Sequence, residues 1–325
     1  MKIAVTGVTG HIGINMVHAL IKQGHQLNII YRNPVKIKIL DGLALEKNQG
    51  DILNTPFLME AFKGVDAVVH LAGVISINGD PDGSVMKTNV EGTRSVVSAC
   101  LKNKIKKLVH FSSVHALKYN HLSPVVNENS PYADSQSFSY DYSKALGELE
   151  IIKGIEQGLD AYILNPTGVI GPHDYFNART GELFIKLFTG KMPALIKGGF
   201  DWVDVRDVIN AAIFILENGA PSRRYLLAGN FAEFKKVAYL CEEISGVKSP
   251  RFILPIGLAF LGLPFIQMTQ LFSKQTPLYT AESLAIIKNA NRNYSSELAK
   301  KELNYQVRPL KNSIQDIYNW WKNKR

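Results

Sequence analysis

Tyr140 and Lys144, in the run Tyr140-Asp141-Tyr142-Ser143-Lys144, are the residues best suited to proton chemistry in this chain. A spacing of four puts both side chains on one face of a helix. A free phenol titrates near ~10, too high to exchange protons readily at neutral pH. An ammonium beside it favours the phenolate and lowers that value. So placed, Tyr140 can protonate a carbonyl oxygen during a reduction, or take the proton of an alcohol during an oxidation. Ser112 and Ser113 directly follow the apolar run Lys107 to Phe111, at the carboxyl end of a strand. Ser113 can there donate a hydrogen bond to the same carbonyl and hold it against Tyr140. On spacing alone each group keeps a plainer reading. A Tyr-x-x-x-Lys pair also fits an ordinary helix surface, and a serine pair also makes a turn or caps a helix. Tyr142 lacks the spacing to Lys144 and reads as a packing residue.

The segment Lys2 to Gly13 (KIAVTGVTGHIG) is an apolar strand running into a turn with glycines at 7, 10 and 13, then an amphipathic helix. Gly7 permits the tight reversal, Gly10 lets backbone N–H groups approach a pyrophosphate, and Gly13 allows close helix–strand packing. Phosphates would sit at the helix N-terminus, where open N–H groups and the helix dipole favour negative charge.

Around these residues strand and helix signals alternate. After the first strand, Ile12, Val17, Leu20 and Ile21 form a helical stripe that stops at Gly24. Gln26 to Tyr31 is a second strand, a third ends near Gly50-Asp51, and Asn54-Thr55-Pro56 opens a helix. Asp66 to Leu71, Lys107 to Phe111 and Ala161 to Asn165 are further strands, with helices over 84–102 and 141–157 between them. The expected fold is α/β: a doubly wound parallel sheet of Rossmann type, with a smaller, mostly helical C-terminal substrate lobe. Residues 1–171 form the dinucleotide-binding domain, to which 200–232 return, and 172–199 with 233–325 form the lobe. Helices are expected near 179–189, 205–218, 233–245, 256–272, 278–289 and 311–322, with Arg224 to Leu227 the clearest later strand. Ligands of such sheets bind outside the carboxyl ends of the strands, where the lobe can cover them.

Composition narrows the classes. With 46% hydrophobic and 20% charged residues over 325, the chain can bury a sizeable core. A formal charge of +9 attracts anions such as nucleotide phosphates. No long basic run interleaved with aromatics appears, so nucleic acid is not an expected partner. Cys100 and Cys241 are the only cysteines and lie in apolar helical patterns, which disfavours a disulfide scaffold or a cysteine metal site. No metal is expected. The first strand starts at residue 2, and a cytoplasmic location is expected. Ile256 to Phe272 is very apolar but interrupted by Pro264 and two glutamines. It is shorter than the ~20 residues a membrane span needs. It reads as a buried or pocket-lining helix and leaves room for a peripheral membrane contact.

Taken in order, TGVTGHIG at 6–13, GDI at 50–52, HLAG at 70–73, NVEGT at 89–93, the serine pair, YDYSK at 140–144, NPTGVIGP at 165–172 and DVRD at 204–207 run the length of the chain. In these motifs the sequence resembles the extended short-chain dehydrogenase/reductases. That group contains sugar-nucleotide epimerases, dihydroflavonol reductase-like enzymes and 3β-hydroxysteroid dehydrogenase-like enzymes. The resemblance implies Ser113, Tyr140 and Lys144 as a catalytic triad, with Lys144 also on the nicotinamide ribose. It implies a cofactor held along Gly7, Thr9, Gly10, His11, Ile12 and Gly13, with Asp51 and Ile52 flanking adenine. Leu71, Ala72 and Gly73 would line the cofactor, and Pro166 and Thr167 would lie by the nicotinamide. Asn89 is expected to be structural, crossing behind the triad.

Cofactor choice turns on Tyr31-Arg32-Asn33, where NAD-preferring relatives carry an acid after the second strand. Arg32 can hold a 2′-phosphate with Lys36 assisting, so NADP(H) is preferred over NAD(H). The epimerases also carry an arginine that binds a substrate phosphate, where this chain reads Phe200-Asp201-Trp202. Without it a charge-assisted contact to a diphosphate is lost. The expected activity is therefore NADP(H)-dependent reduction of a carbonyl on a mostly apolar small molecule, or the reverse. The alternatives are a nucleotide-sugar epimerase or dehydratase retaining NAD, and a non-catalytic dinucleotide-binding regulator. His115, Tyr119 and His121 in the loop after the serines, and His173 and Asp174, are candidates for the pocket rim. Apolar positions on the 84–102 and 140–157 helices, including Val96, Val97, Leu146, Leu149 and Ile152, suggest a homodimer.

Overall fold

A computed structural model of the protein describes residues 1–118, 125–176, 178–261, 280–290 and 293–324. Its centre is a seven-stranded parallel sheet built from β1 (Lys2–Thr6), β2 (Gln26–Tyr31), β3 (Leu45–Gln49), β4 (Ala67–His70), β5 (Lys107–Phe111), β6 (Ala161–Pro166) and β10 (Arg224–Leu227). The spatial order is β10-β6-β5-β4-β1-β2-β3, so the winding reverses between β1 and β4. That reversal opens a crevice at the carboxyl ends of the strands.

Alternation along each strand divides the core. Ile3, Val5, Ala67, Val69, Val109 and Phe111 point to the face covered by α1 (His11–Lys22) and α7 (Val205–Asn218). Ala4, Val68, Leu108 and Ile163 point to the face covered by α2 (Thr55–Ala61), α4 (Gly92–Lys102) and α5 (Ser139–Glu156). Both faces are dry, which is why these strands read as continuous apolar runs. Ahead of α4 the chain passes through a short helix α3 (Ser84–Met86) and a π turn at Lys87–Glu91.

A second cluster forms the lobe. Phe184, Leu187 and Phe188 of α6 (Arg179–Phe188), Trp202, Val237 of α8 (Phe234–Ser245), Leu284 and Ile287 of α9 (Ala281–Asn289), and Ile314 and Ile317 of a helix at Leu310–Asn323 pack together. A three-stranded sheet of β7 (Gly168–Ile170), β9 (Gly199–Asp204) and β11 (Asn230–Glu233) bridges from β6 towards this lobe. Leu195–Ile196 pairs with Ile253–Leu254 as a two-stranded ribbon. A helix at Glu297–Leu303 was not expected from the sequence. Of the apolar stretch 256–272, residues 256–261 are helical and the rest lies outside the described residues. No helix among the described residues is long and apolar enough to cross a membrane.

Candidate active site

Gly7 sits at φ +72, and a Cβ there would meet the backbone of Leu71 and Ala72 at 2.5 Å. The β1 turn and the end of β4 therefore lie against each other with no space for a side chain. A Cβ on Gly13 would lie 2.2 Å from the Gly7 carbonyl oxygen, so α1 starts pressed on the turn. Gly10 is the N-cap of α1 and has no side chain to close the helix end. This turn forms one end of a cavity of about 1070 Å³ at the carboxyl edge of the sheet. Gly7, Gly10, His11, Ile12, Gly13, Leu71, Gly73, Ser113, Tyr140, Lys144, Pro166 and Thr167 all line it. An open helix N-terminus at one end and a phenol at the other fit a dinucleotide laid between them.

The strand end and the helix start bring the reacting groups together. Ser113 and Tyr140 both line this cavity. Ser113 Oγ also accepts from the His115 backbone N–H at 3.2 Å, so the serine caps a short turn as well. Lys144 is 7% exposed and its Nζ donates to the Phe111 carbonyl at 2.9 Å. Burial pulls the Lys144 ammonium down to about 8, opposed by Glu148. Lys144 does not lower the phenol's pKa as the four-residue spacing implied. Burial pushes Tyr140 up to about 12; the Ser113 side chain opposes the rise and Asp141 adds to it. Desolvating a phenolate costs more than its surroundings return, so the hydroxyl stays protonated and is set to act as an acid.

Beneath Lys144 lie two buried imidazoles, His70 on β4 and His110 on β5, with ring centroids 5.0 Å apart. Burial, and then the Lys144 charge, hold both rings neutral. His70 is anchored between the Thr6 hydroxyl at 2.8 Å and the Thr93 hydroxyl at 3.1 Å. Asn89, in the π turn, accepts from Val74 N–H at 2.8 Å and donates to the Val74 carbonyl and to Ser143 Oγ, each at 2.9 Å. Its amide is committed to tying α5 to the loop after β4.

The other expected residues fall in different places. Arg32 and Asp51 form an ion pair at 3.6 Å outside the cavity lining. Lys36 stands over the Phe176 ring, 4.9 Å from its centroid. Ile52 is 7% exposed, and its side chain fills the space where Gly92 lacks one. Its side chain belongs to the core, which leaves its backbone to flank adenine. Thr9 and Ala72 are partly buried beside the glycine turn. His115 lines the cavity with Nδ1 3.0 Å from Asp141 Oδ1 and its ring 5.8 Å from that of Tyr140. His173, at φ +64, bonds Asn15 at 3.0 Å, and Asp174 accepts from Ala178 N–H at the start of α6. Tyr119 and His121 lie outside the described residues.

Thr167 was an expected site residue, whereas Tyr294, Glu148 and Arg224 escaped the sequence reading as members of the site. Thr167 donates to Asp201 at 2.6 Å, and Tyr294 joins the cavity wall with its hydroxyl proton held tightly by burial and by the charges of Asp201 and Asp141. Glu148, 0% exposed, takes Asn165 Nδ2 at 2.6 Å and Arg224 at 2.9 Å. Its spacing of four from Lys144 was a usable signal; Arg224, far away in sequence, had none. Among the described residues no group of three His, Cys, Asp or Glu is arranged to hold a metal ion.

Comparison with known proteins decides the family. Residues 3–228 match the model of the NAD dependent epimerase/dehydratase family. The chain belongs to that family. It is an enzyme of the extended short-chain dehydrogenase/reductase type, NAD(P)-dependent. It is 29% identical to sterol demethylase protein B of Methylococcus capsulatus, over 99% of this chain and 98% of that protein. It is 27% identical to a putative dihydroflavonol 4-reductase of Synechocystis, over 98% and 94%. Among solved structures it is similar to gox2253, with 30% identity and TM-score 0.82 over 99% of this chain and 98% of that one. A nucleoside-diphosphate-sugar epimerase from Pseudomonas aeruginosa, 21% identical with TM-score 0.79 over 100% and 98%, shares the fold.

Proposed function

We propose that this enzyme is an NADP(H)-dependent oxidoreductase that reduces a carbonyl, or oxidises the alcohol, on a mostly apolar small molecule. The observation that carries this reading is that Ser113, Tyr140 and Lys144 line one cavity with apolar walls. Val74, Ile77, Leu117, Leu183, Phe200 and Ile286 are among those walls, and no arginine among the described residues lines it. A diphosphate bound there would lack the forked, charge-assisted partner it usually finds. Relatives that include a sterol demethylase protein and a putative dihydroflavonol 4-reductase support an apolar substrate.

In this reading the open N-terminus of α1 takes the pyrophosphate and Lys144 takes the ribose. A nicotinamide dinucleotide, when bound, supplies the hydride. Ser113 orients the substrate oxygen and Tyr140 delivers the proton, for which a protonated phenol at neutral pH is the required starting state. His115, held by Asp141, offers a polar contact on the substrate side. Thermal-shift titration with NADPH, NADH and UDP-glucose, followed by turnover on a panel of apolar ketones and aldehydes, tests the proposal. Tightly retained NAD with no net turnover would overturn it in favour of an epimerase.

Cofactor preference rests on Arg32, whose side chain is 74% exposed beside Asp51. Arg32→Ala should weaken NADPH binding by about 10- to 100-fold, the loss of one charge-assisted contact, while NADH binding changes little. Equal losses for both cofactors, or a wild-type preference for NADH, would reject the assignment.

A homodimer through α4 and α5 is also proposed, on narrower ground than the sequence suggested. Val96 and Val97 are buried in the protomer's own core, so they leave no surface for a partner. Leu149 remains 36% exposed on α5. Light scattering at micromolar concentration should give twice the 36.1 kDa chain mass. A species of the single-chain mass would count against the dimer.

A further inference from the structure

Glu148 is the most deeply buried carboxylate near the site, and the steps above make no use of it. It stands one helical turn after Lys144 on α5, facing the sheet with the lysine. Its Oε1 accepts from Asn165 Nδ2 at 2.6 Å, and the same amide group donates to the Ser113 carbonyl at 2.8 Å. Its Oε2 faces Arg224 at 2.9 Å. Arg224 lies over the Tyr132 ring at 4.5 Å and donates to the Glu128 carbonyl at 3.2 Å. One carboxylate thus ties the helix carrying Tyr140 and Lys144 to the strand end carrying Ser113.

We propose that Glu148, held by Arg224 and Asn165, is a positioning residue whose negative charge keeps Lys144 an ammonium and so sustains cofactor binding. A buried ion pair is retained at a desolvation cost that a well-packed apolar pair would avoid. Its place beside a buried lysine gives the cost a use. The groups facing Lys144 from other elements do not supply a counter-charge. His70 on β4 and His110 on β5 are neutral, and the Phe111 carbonyl on β5 offers only a dipole. Tyr140, one turn earlier, is a protonated phenol. Burial already brings Lys144 down to about 8 and Glu148 resists this; burial also lifts the Glu148 carboxyl to about 7, so Glu148 is charged over the alkaline range in which Lys144 loses its proton. The sign follows: Lys144 is charged below its pKa, so a cofactor contact that needs the charge weakens as pH rises through that value, and earlier if Glu148 is neutral.

This inference rests on the proposed nicotinamide cofactor. Its test is NADPH binding to the full-length protein, followed by nucleotide fluorescence from pH 6 to pH 10. Glu148→Gln keeps the size and the hydrogen bond from Asn165 while removing the charge and the ion pair with Arg224. The pH at which affinity falls should drop by about one unit relative to wild type, the usual effect of one nearby opposite charge. Arg224→Met should move it the same way, because a lone buried carboxyl takes up a proton. Arg224→Lys should restore part of the loss. Circular dichroism and thermal melting establish that each variant is folded; if Glu148→Gln is not, the two Arg224 variants decide. An unchanged midpoint in folded Glu148→Gln, or in folded Arg224→Met, would overturn the inference. Wild-type protein that binds neither NADPH nor NADH would instead overturn the proposed function.

Discussion

Tyr140→Phe should lower turnover by roughly 10²–10⁴-fold while leaving the fold and NADPH affinity in place, the usual worth of a positioned general acid. The substitution removes one oxygen from a ring that stays in its pocket. The ring keeps its place on the cavity wall, 5.8 Å from the His115 ring, so little else moves when the hydroxyl goes. Ser113→Ala should cost less, since it orients the substrate oxygen and a water can stand in. It should also loosen the short turn at Val114–Ala116, because Ser113 Oγ caps it through His115 N–H. Tyr142→Phe is the control and should be nearly silent in catalysis. Single-turnover reduction of whichever ketone the panel identifies, with NADPH binding measured in parallel, separates the three. Loss of turnover in Tyr142→Phe but not in Tyr140→Phe would assign the proton to the wrong tyrosine here. A high phenol pKa also gives a direction for pH: the protonated state persists past neutrality, so reduction should not fall near pH 7 because of Tyr140.

What the sequence could and could not reveal follows from the range of each interaction. The parallel sheet was legible because its inner strands are buried on both faces, and β1, β4, β5 and β6 are mostly apolar. The Tyr140–Lys144 face was legible because a helix fixes what lies four residues away. The small sheet of β7, β9 and β11 was not, since each strand is three to six residues long and gains its neighbours from distant segments. The helix Glu297–Leu303 (ELAKKEL) carries too few apolar positions to show a stripe. The phenol's direction of shift was misread for a related reason. Spacing tells which charge shares a face, whereas desolvation depends on everything packed around the hydroxyl, and here it is the larger effect. The opposite directions of Asp51, to the surface, and Ile52, into the space at Gly92, could not be read from their adjacency in sequence.

Gly13→Ala and Gly10→Ala should fail in different ways, and the contrast tests the glycine turn itself. A Cβ on Gly13 would lie 2.2 Å from the Gly7 carbonyl oxygen and 2.7 Å from Val8 Cα. Both obstacles are backbone, so no side chain can swing aside, and α1 must lift off β1 or the turn must open. Overpacking of this kind costs about 1–3 kcal/mol and sometimes more. Because α1 packs through Ile14, Met16, Val17 and Leu20 into the same core as Ile3 and Val5, the displacement spreads into the sheet. Gly13→Ala should therefore lower both the melting temperature and the affinity for NADPH. A Cβ on Gly10 meets only the Gly7 oxygen, at 3.4 Å, an ordinary contact. Its free side faces the cavity, where the proposed pyrophosphate approaches. Gly10→Ala should leave the melting temperature of the free protein almost unchanged and still weaken NADPH by tenfold or more, roughly the loss of one close charge-assisted contact. Thermal melting without nucleotide, alongside NADPH titration, reads both quantities. If Gly10→Ala binds NADPH as wild type does, the turn is not the phosphate cradle, and strand-to-helix packing at Gly13 is the only task left for these glycines.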